Sequence, residues 1–160
     1  MDGLSKTYFL RLQLHDSTGK LLSDNFYWLS TKPDVMDWKN RQDTVYTPQA
    51  EFGDLSGLNT LPQVRLEVKP AKEEQGSKAS SHVSVRNPSS SIAFMVHLRV
   101  TKGKGGDDLT PILWSDNYFS LLPGEEKEIT ASYDPTDLKG QQAVVELDGY
   151  NVTPQTLGPN

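Results

Sequence analysis

Apolar and polar side chains alternate along much of the chain, most regularly between residues 92 and 100. In that stretch every second residue is apolar and falls on one face of an extended strand, whereas Met95, His97 and Arg99 fall on the other. This period predicts a β-strand with one face in the core. Burial stabilises each apolar side chain by about 1.5–3 kcal/mol before entropy is counted, so we expect this strand at the centre of the core.

The same period of two recurs in four other stretches, at residues 64–68, 83–85, 129–133 and 143–147. Clusters of glycine, proline, asparagine and aspartate, which are typical of turns, lie between the strands at residues 87–90, 103–108, 123–124 and 134–137. No helical period separates the predicted strands. The pattern therefore predicts an all-β fold, an antiparallel β-sandwich.

The first thirty residues predict a β-hairpin. Its first strand places four large apolar residues on one face, namely Tyr8, Leu10, Leu12 and Leu14. A polar turn follows at residues 15–20, and a second strand covers residues 22–29. Because an isolated hairpin is only marginally stable in water, we expect this one to dock on further structure.

Residues 8–14 and 23–29 of the hairpin are echoed by residues 94–100 and 115–121. One interpretation is that two β-hairpins share common strand residues, because the loops between the echoed strands differ in length. The other is that the chain holds two related sandwich domains, of which the first is truncated. The sequence leaves both open.

Residues 31–60 show no sustained period and contain Pro33 and Pro48. A stretch this long without regular structure is unusual inside one compact domain, so we interpret it as a connector. It is too apolar for a free linker, since it carries Val35, Trp38, Tyr46, Phe52, Leu55 and Leu58. We expect the connector to lie along the sandwich with those side chains partly buried.

Charge and composition exclude several functions. The chain has 160 residues, with 16 basic and 21 acidic side chains and a net charge of −5. This balance argues against nucleic acid or an anionic membrane as a partner. Cysteine is absent, which removes disulfides, thiolate nucleophiles and cysteine metal sites. No apolar run approaches the length of a spanning helix, and the first six residues do not predict a secretory signal.

Catalytic motifs do not emerge from the sequence. His15, His82 and His97 lack metal-ligand spacing, and no nucleophile elbow or phosphate-binding glycine loop is found. Four carboxylates remain candidates by residue type, but their positions predict solvated faces: Glu125, Glu126, Glu128 and Glu146. We therefore expect no catalytic centre, no metal and no cofactor in this chain. Asn151-Val152-Thr153 fits the N-glycosylation sequon.

Aromatic residues supply one candidate binding surface. An exposed row that stacks on sugar rings would use Trp28, Trp38, Trp114 and Tyr118, with Phe119 beside them. Packing in the core or against another domain is the alternative role for the same residues. Both roles are kept as predictions.

Five motifs in order carry a family resemblance. They are residues 23–34, 46–48, 54–59, 61–62 and 115–125. The first motif begins with Ser-Asp-Asn-Phe-Tyr-Trp, and the last ends with Leu-Leu-Pro-Gly-Glu. In this order the chain resembles the C-terminal region of glycoside hydrolase family 2 enzymes, of the exo-β-D-glucosaminidase and plant mannosylglycoprotein endo-β-mannosidase type. The resemblance implies a parent with a sugar-binding-like β domain, an immunoglobulin-like domain, a catalytic (β/α)₈ barrel and two further immunoglobulin-like domains.

The resemblance also predicts how this chain is divided. It implies a terminal hairpin of a preceding immunoglobulin-like domain (residues 1–30), a connector packed on the sandwich (31–60), an immunoglobulin-like β-sandwich (61–153) and a disordered tail (154–160).

The implied role is a non-catalytic accessory domain. The family's two catalytic glutamates belong to the barrel, and no Asn-Glu dipeptide occurs here to receive the acid/base. The implied partners are the catalytic and other domains of the parent, with oligosaccharide as an alternative partner. Overall similarity favours the plant mannosidase, which acts on the Manβ1-4GlcNAc bond, and suggests a vacuolar or secreted location. The alternatives are a carbohydrate-binding module and an adhesion sandwich unrelated to glycosidases.

Overall fold

The computed structural model describes residues 3–42, 45–75 and 79–157. The chain forms two compact units, Met1–Leu61 and Pro62–Asn160. Strands make up 53% of the structure, and no α-helix occurs in the described ranges. The predicted all-β fold is therefore confirmed.

The first unit begins with an antiparallel hairpin of β1 (Thr7–His15) and β2 (Leu21–Ser30). Its turn is held by the Asp16 carboxylate, which accepts hydrogen bonds from the backbone N–H groups of Thr18 and Lys20 at 2.8 and 3.0 Å. The pKa of Asp16 is lowered, chiefly by a hydrogen bond from the Thr18 hydroxyl and then by these backbone bonds. The predicted hairpin is thus present, with a turn stabilised by its own aspartate.

The rest of the first unit has little regular structure. It contains the short strands β3 (Val35–Met36) and β4 (Gln49–Glu51), which pair with each other, and 3₁₀ turns at Trp38–Asn40 and Ser56–Thr60. Thr7 of β1 connects to this segment, because its hydroxyl donates to the Asp54 carbonyl at 2.8 Å and accepts from the Gly57 N–H at 3.2 Å. A side chain at position 57 would collide with Thr7, since a Cβ there would lie 2.8 Å from the Thr7 Cβ.

The second unit is a β-sandwich of two four-stranded sheets. Its strands are β5 (Glu67–Gln75), β6 (Ala79–Arg86), β7 (Ala93–Lys102), β8 (Ile112–Trp114), β9 (Phe119–Leu121), β10 (Glu126–Tyr133), β11 (Ala143–Gly149) and β12 (Val152–Leu157). One sheet has the order β5-β6-β10-β8, and the other has the order β12-β11-β7-β9. All of the strand pairs in both sheets are antiparallel.

Strand β7 lies at the centre of the core. Val96, Leu98 and Val100 are buried, whereas His97 is half-buried and Arg99 is exposed. The predicted alternation is therefore confirmed for residues 96–100. At the start of the strand it is wrong, because an irregularity between Ala93 and Val96, with Met95 at φ +54°, places Ala93 in the hydrophobic cluster. The facing sheet supplies buried Val83, Val85, Ile129, Ala131 and Tyr133 to the same hydrophobic cluster.

One buried polar side chain fixes the turn before β7. Asn87 is fully buried, and its amide nitrogen donates to the carbonyls of Ser91 and Leu121 at 2.8 and 3.0 Å. Its carbonyl oxygen accepts from the Ser89 N–H and hydroxyl. These bonds satisfy the amide, which would otherwise be costly to bury.

Two boundaries differ from the sequence predictions. Residues 154–157 were expected in a disordered tail, but they lie in β12, where Gln155, Thr156 and Leu157 pair with β11. β12 is an edge strand, a position that tolerates a proline such as Pro154. The run predicted at 64–68 also differs, since β5 begins at Glu67 and extends to Gln75. Residues 158–160 of the predicted tail lie outside the described residues.

Candidate functional site

The hairpin of the first unit carries an exposed apolar face. Residues paired across an antiparallel ladder point to the same side, so Leu10 and Leu12 of β1 share this face with Tyr27 of β2. We call the surface formed by Leu10, Leu12, Leu14 and Tyr27 the apolar hairpin face. Leu12 is 51% exposed, and Leu14 and Tyr27 are exposed as well. A surface of clustered large apolar side chains is typical of a binding interface.

The pairing in this hairpin reproduces a pairing in the sandwich. In the hairpin, Leu10 is opposite Tyr27 and Leu12 is opposite Asn25. At the echoed positions of the sandwich the register shifts by one residue near Phe94, because Leu121 is opposite Ala93, but the pair Val96–Phe119 matches the pair Leu10–Tyr27. The amide side chain of Asn117 continues it, because it donates to the Leu98 carbonyl at 2.8 Å and accepts from the Leu98 N–H at 2.9 Å.

The equivalence changes the meaning of the apolar hairpin face. Leu98, the counterpart of Leu12, is 0% exposed, because the second sheet of the sandwich covers it. Leu12 has no comparable cover in the part of the chain that the structure describes.

The opposite face of the hairpin is mixed in character. Phe9 and Phe26 are in ring contact, with centroids 5.5 Å apart, and Arg11 pairs with Asp24. Trp28, one of the predicted site residues, lies directly across the ladder from Phe9 and is partly exposed. It is thus placed on a face that also carries charge, away from Leu12.

Trp38, the second predicted site residue, is 67% exposed in a 3₁₀ turn. The turn is capped by Asp37, whose carboxylate accepts from the backbone N–H groups of Lys39 and Asn40 at 3.2 Å. A hydrogen bond from the Asn40 side chain is the largest cause of the lowered pKa of Asp37. The cap fixes the backbone beneath the indole.

Trp114 and Tyr118 occupy different environments in the second unit. Trp114, on β8, packs partly buried against the hydrophobic cluster. Tyr118 is 57% exposed, and its ring stacks on the His97 imidazole with centroids 4.5 Å apart and an angle of 15°. The imidazole Nδ1 lies 3.0 Å from a carboxylate oxygen of Asp148. The structure therefore brings Tyr118 together with His97 and Asp148, not with Trp114.

The backbone presents the Tyr118 ring in an unusual way. Tyr118 has φ +56°, in the left-handed region that a residue of this size rarely occupies. Asn117 holds it there, because the Asn117 carboxamide is bonded to both backbone groups of Leu98 and accepts from the Tyr118 N–H at 3.0 Å. The sequence placed His97 on an outward face, but the partner Asp148 is 51 residues away and carries no local signal.

A charged network follows Tyr118 along the same sheet. Arg99 of β7 pairs with Glu146 of β11 and lies 3.6 Å from Asp108. Glu146 also accepts from the Gly105 N–H at 3.0 Å, and this bond is the largest cause of its lowered pKa. The pKa of Arg99 is raised, first by its hydrogen bond to Glu146. Glu146 is therefore held as a charged acceptor.

The other chemical candidates lie apart. The His82 ring nitrogens are 3.2 Å from the hydroxyls of Ser80 and Thr130, and His15 Nδ1 is 3.1 Å from the Gly19 carbonyl. Among residues 3–42, 45–75 and 79–157, no group of three or more histidines and carboxylates is placed to hold a metal ion. Over the same ranges, no helix has the length and hydropathy that crossing a bilayer requires.

A known protein family matches most of the second unit and part of the first. Residues 44–152 match the exo-β-D-glucosaminidase Ig-fold domain. An exo-β-D-glucosaminidase of Streptomyces avermitilis is 41% identical over 98% of this chain, and a mannosylglycoprotein endo-β-mannosidase of Lilium longiflorum is 29% identical over 90%. These alignments cover 18% and 19% of the two relatives, so the chain spans less than a fifth of their length.

Solved structures give the same result. The crystal structure of the Amycolatopsis orientalis exo-chitosanase CsxA is 40% identical, with a TM-score of 0.90. The match covers 99% of this chain and 19% of that enzyme. The match therefore includes residues of both units of this chain, and the matched part of the exo-chitosanase belongs to one longer polypeptide.

Proposed function

The chain belongs to the Ig-fold domain family of exo-β-D-glucosaminidases, and from this we propose that it is a non-catalytic accessory domain of such an enzyme. Its role is structural: it packs against other domains of the parent and stabilises their arrangement. The proposal draws support from the small share of the relatives that the chain spans, since most of their length lies outside it. Hydrolysis of the glucosaminidic bond belongs to that remaining part.

The apolar hairpin face is the observation that carries the proposal. The hairpin and the β7–β9 strand pair share one matching pair, Leu10–Tyr27 and Val96–Phe119, yet within the described residues the apolar face is covered only in the sandwich. We assign the missing cover of Leu12 and Leu14 to β-strands of the parent enzyme that complete a second sandwich. Because each leucine is already about half buried, covering both fully would contribute about 1 kcal/mol each.

The parent that we propose is a glucosaminidase. The sequence alone favoured the plant endo-β-mannosidase, but identity to the Streptomyces avermitilis exo-β-D-glucosaminidase is 41%, against 29% for the Lilium longiflorum endo-β-mannosidase. Cleavage of the Manβ1-4GlcNAc bond is kept as the alternative parent activity. A β-mannoside and a β-glucosaminide substrate, assayed in parallel with the parent enzyme, distinguish the two.

A chimera tests the accessory role. The chain replaces its aligned counterpart in the Amycolatopsis orientalis exo-chitosanase, and p-nitrophenyl β-D-glucosaminide is the substrate. We expect the chimera to hydrolyse the substrate and the isolated chain to be inactive. The Leu12→Asp, Leu14→Asp chimera should lose thermal stability, whereas Leu113→Asp, at an exposed position of the sandwich, serves as the matched control. Turnover by the isolated chain that survives repurification would overturn the proposal.

Carbohydrate binding is a second candidate, favoured by Tyr118. Its exposed ring stacks on the His97 imidazole, and its backbone N–H is bonded to the Asn117 side chain. A ring held in place in this way is what stacking on a sugar requires. Titration with chitosan oligosaccharides, followed by NMR chemical shifts of the wild-type chain and of Tyr118→Ala, tests it. The absence of Tyr118-dependent shifts at millimolar sugar would remove this candidate.

A further inference from the structure

Asn151 occupies a closed position between the last two strands. The side chain is 1% exposed. Its amide nitrogen donates to the carbonyls of Pro62 and Ile92 at 2.7 and 2.8 Å, and its carbonyl oxygen accepts from the Phe94 N–H at 2.8 Å. Both amide hydrogens and the amide oxygen are therefore in use, and together they join three separate segments of the sandwich.

The backbone around Asn151 reinforces the same connection. The Val64 N–H donates to the Asn151 carbonyl at 2.8 Å, and the Thr153 N–H donates to the Val64 carbonyl at 2.8 Å. Val152, between them, is buried in the hydrophobic cluster. The segment 151–153 is thus fixed through both its side chains and its main chain.

This segment is also a modification sequence. Asn151-Val152-Thr153 is the only asparagine-x-serine/threonine sequon of the chain in which x is not proline. N-linked glycosylation forms a bond from the amide nitrogen to C1 of the first sugar. The C1–O bond to the lipid pyrophosphate breaks, the lipid pyrophosphate leaves and one amide proton is released. One N–H remains on the nitrogen afterwards.

Two physical consequences follow from that chemistry. A nitrogen with one N–H cannot serve both the Pro62 and the Ile92 carbonyls, so one buried acceptor would lose its donor. A sugar would also need open space next to an atom that is enclosed by protein. We infer that folding closes this sequon, so that a glycan on Asn151 and the native sandwich exclude each other.

Expression of the full chain behind a secretory leader in yeast tests the inference. Glycosylation at Asn151 is measured by glycopeptide mass spectrometry, separately in the protease-resistant and the protease-sensitive protein. Leu98→Asp places a carboxylate in the core and provides an unfolded acceptor, with Val96→Asp as a second such variant. Addition of Thr153→Val to either one removes the sequon while keeping a side chain of similar shape.

We expect the unfolded variants to carry the glycan, the Thr153→Val forms to lose it, and the protease-resistant wild-type chain to lack it. A glycan on Asn151 in protease-resistant protein with wild-type circular dichroism would overturn the inference. Unfolded variants without any glycan would overturn it as well. In that case the local sequence, and not the folded sandwich, would prevent glycosylation of Asn151.

Discussion

Leu12 of the hairpin and Leu98 of β7 occupy matching positions in two echoed strand pairs, but Leu12 is half-exposed and Leu98 is fully buried. The two leucines therefore form an internal comparison. Each lies on a strand with apolar neighbours at every second position. Leu12 is paired with Asn25 in the ladder, and Leu98 is hydrogen-bonded to the side chain of Asn117. What separates them is the presence of a second sheet.

The comparison predicts unequal effects of one substitution. Leu98→Ala should lower the free energy of unfolding by about 2–5 kcal/mol, because it leaves a cavity in the core. Leu12→Ala in the isolated chain should lower it by less than about 1 kcal/mol, since the side chain is already in contact with water. Urea titration followed by circular dichroism measures both. Equal losses would contradict the view that the apolar hairpin face lacks its cover.

Asn87 provides a second test of the sandwich. Asn87→Ala removes the donor of the Ser91 and Leu121 carbonyls, and an unpaired buried acceptor destabilises a protein by about 1–3 kcal/mol. We expect a loss in this range or above it, measured by thermal and urea unfolding. Ser90→Ala, at an exposed position of the same turn, is the matched control and should stay near the wild type. A wild-type stability for Asn87→Ala would contradict the assigned role.

Glu146 makes stability depend on pH. Its pKa is lowered in the folded chain, chiefly by the Gly105 N–H and then by Arg99, so the unfolded chain binds its proton more readily. The stabilisation is fully present above the ordinary pKa of a glutamate and is lost as the pH falls through the lowered value. Glu146→Gln should reduce the loss of stability on acidification. Unfolding midpoints of both forms, compared from neutral to acidic pH, check this, and parallel curves would contradict it.

Gly106 is required by the close approach of two backbones. A Cβ at this position would lie 2.0 Å from the Lys102 carbonyl oxygen, so Gly106→Ala must displace the loop that carries Gly105. We expect lower stability and a weaker pH effect of Glu146, because the Gly105 N–H moves with the loop. Gly124→Ala has no neighbour within 4 Å of its Cβ and reports only the strain of a positive φ, about 1 kcal/mol. A smaller effect at Gly106 than at Gly124 would contradict the steric argument.

The alternation of apolar and polar residues predicted those strands that have one buried face and one solvent-exposed face. β10 and the middle of β7 alternate, because each has the core on one side only. β5 gave a weaker signal, since its residues from Lys69 to Gln75 are mostly polar and do not alternate. β12 was missed beyond Thr153 because Pro154 interrupts a strand pattern, although an edge strand accepts it.

The candidate site could be predicted only in part. The need of the hairpin for a docking partner followed from its composition, because two strands cannot bury their own apolar face. The environment of the four aromatic residues did not follow, since exposure depends on which elements pack above them. The contact of Tyr118 with His97, and of His97 with Asp148, depends on the register of β7 with β11 and on a left-handed residue, neither of which a single sequence encodes locally.

Pro154 in the edge strand has an effect on how the protein behaves in a crowded solution. An edge strand with every N–H available is a template on which a strand of another molecule can grow, and such growth leads to fibrils. The Thr153 N–H is already bonded to the Val64 carbonyl, and Pro154 has no N–H, so neither residue offers a donor to a strand of another molecule. The proline that weakens the strand pattern in the sequence therefore also limits the pairing of β12 with strands of other molecules.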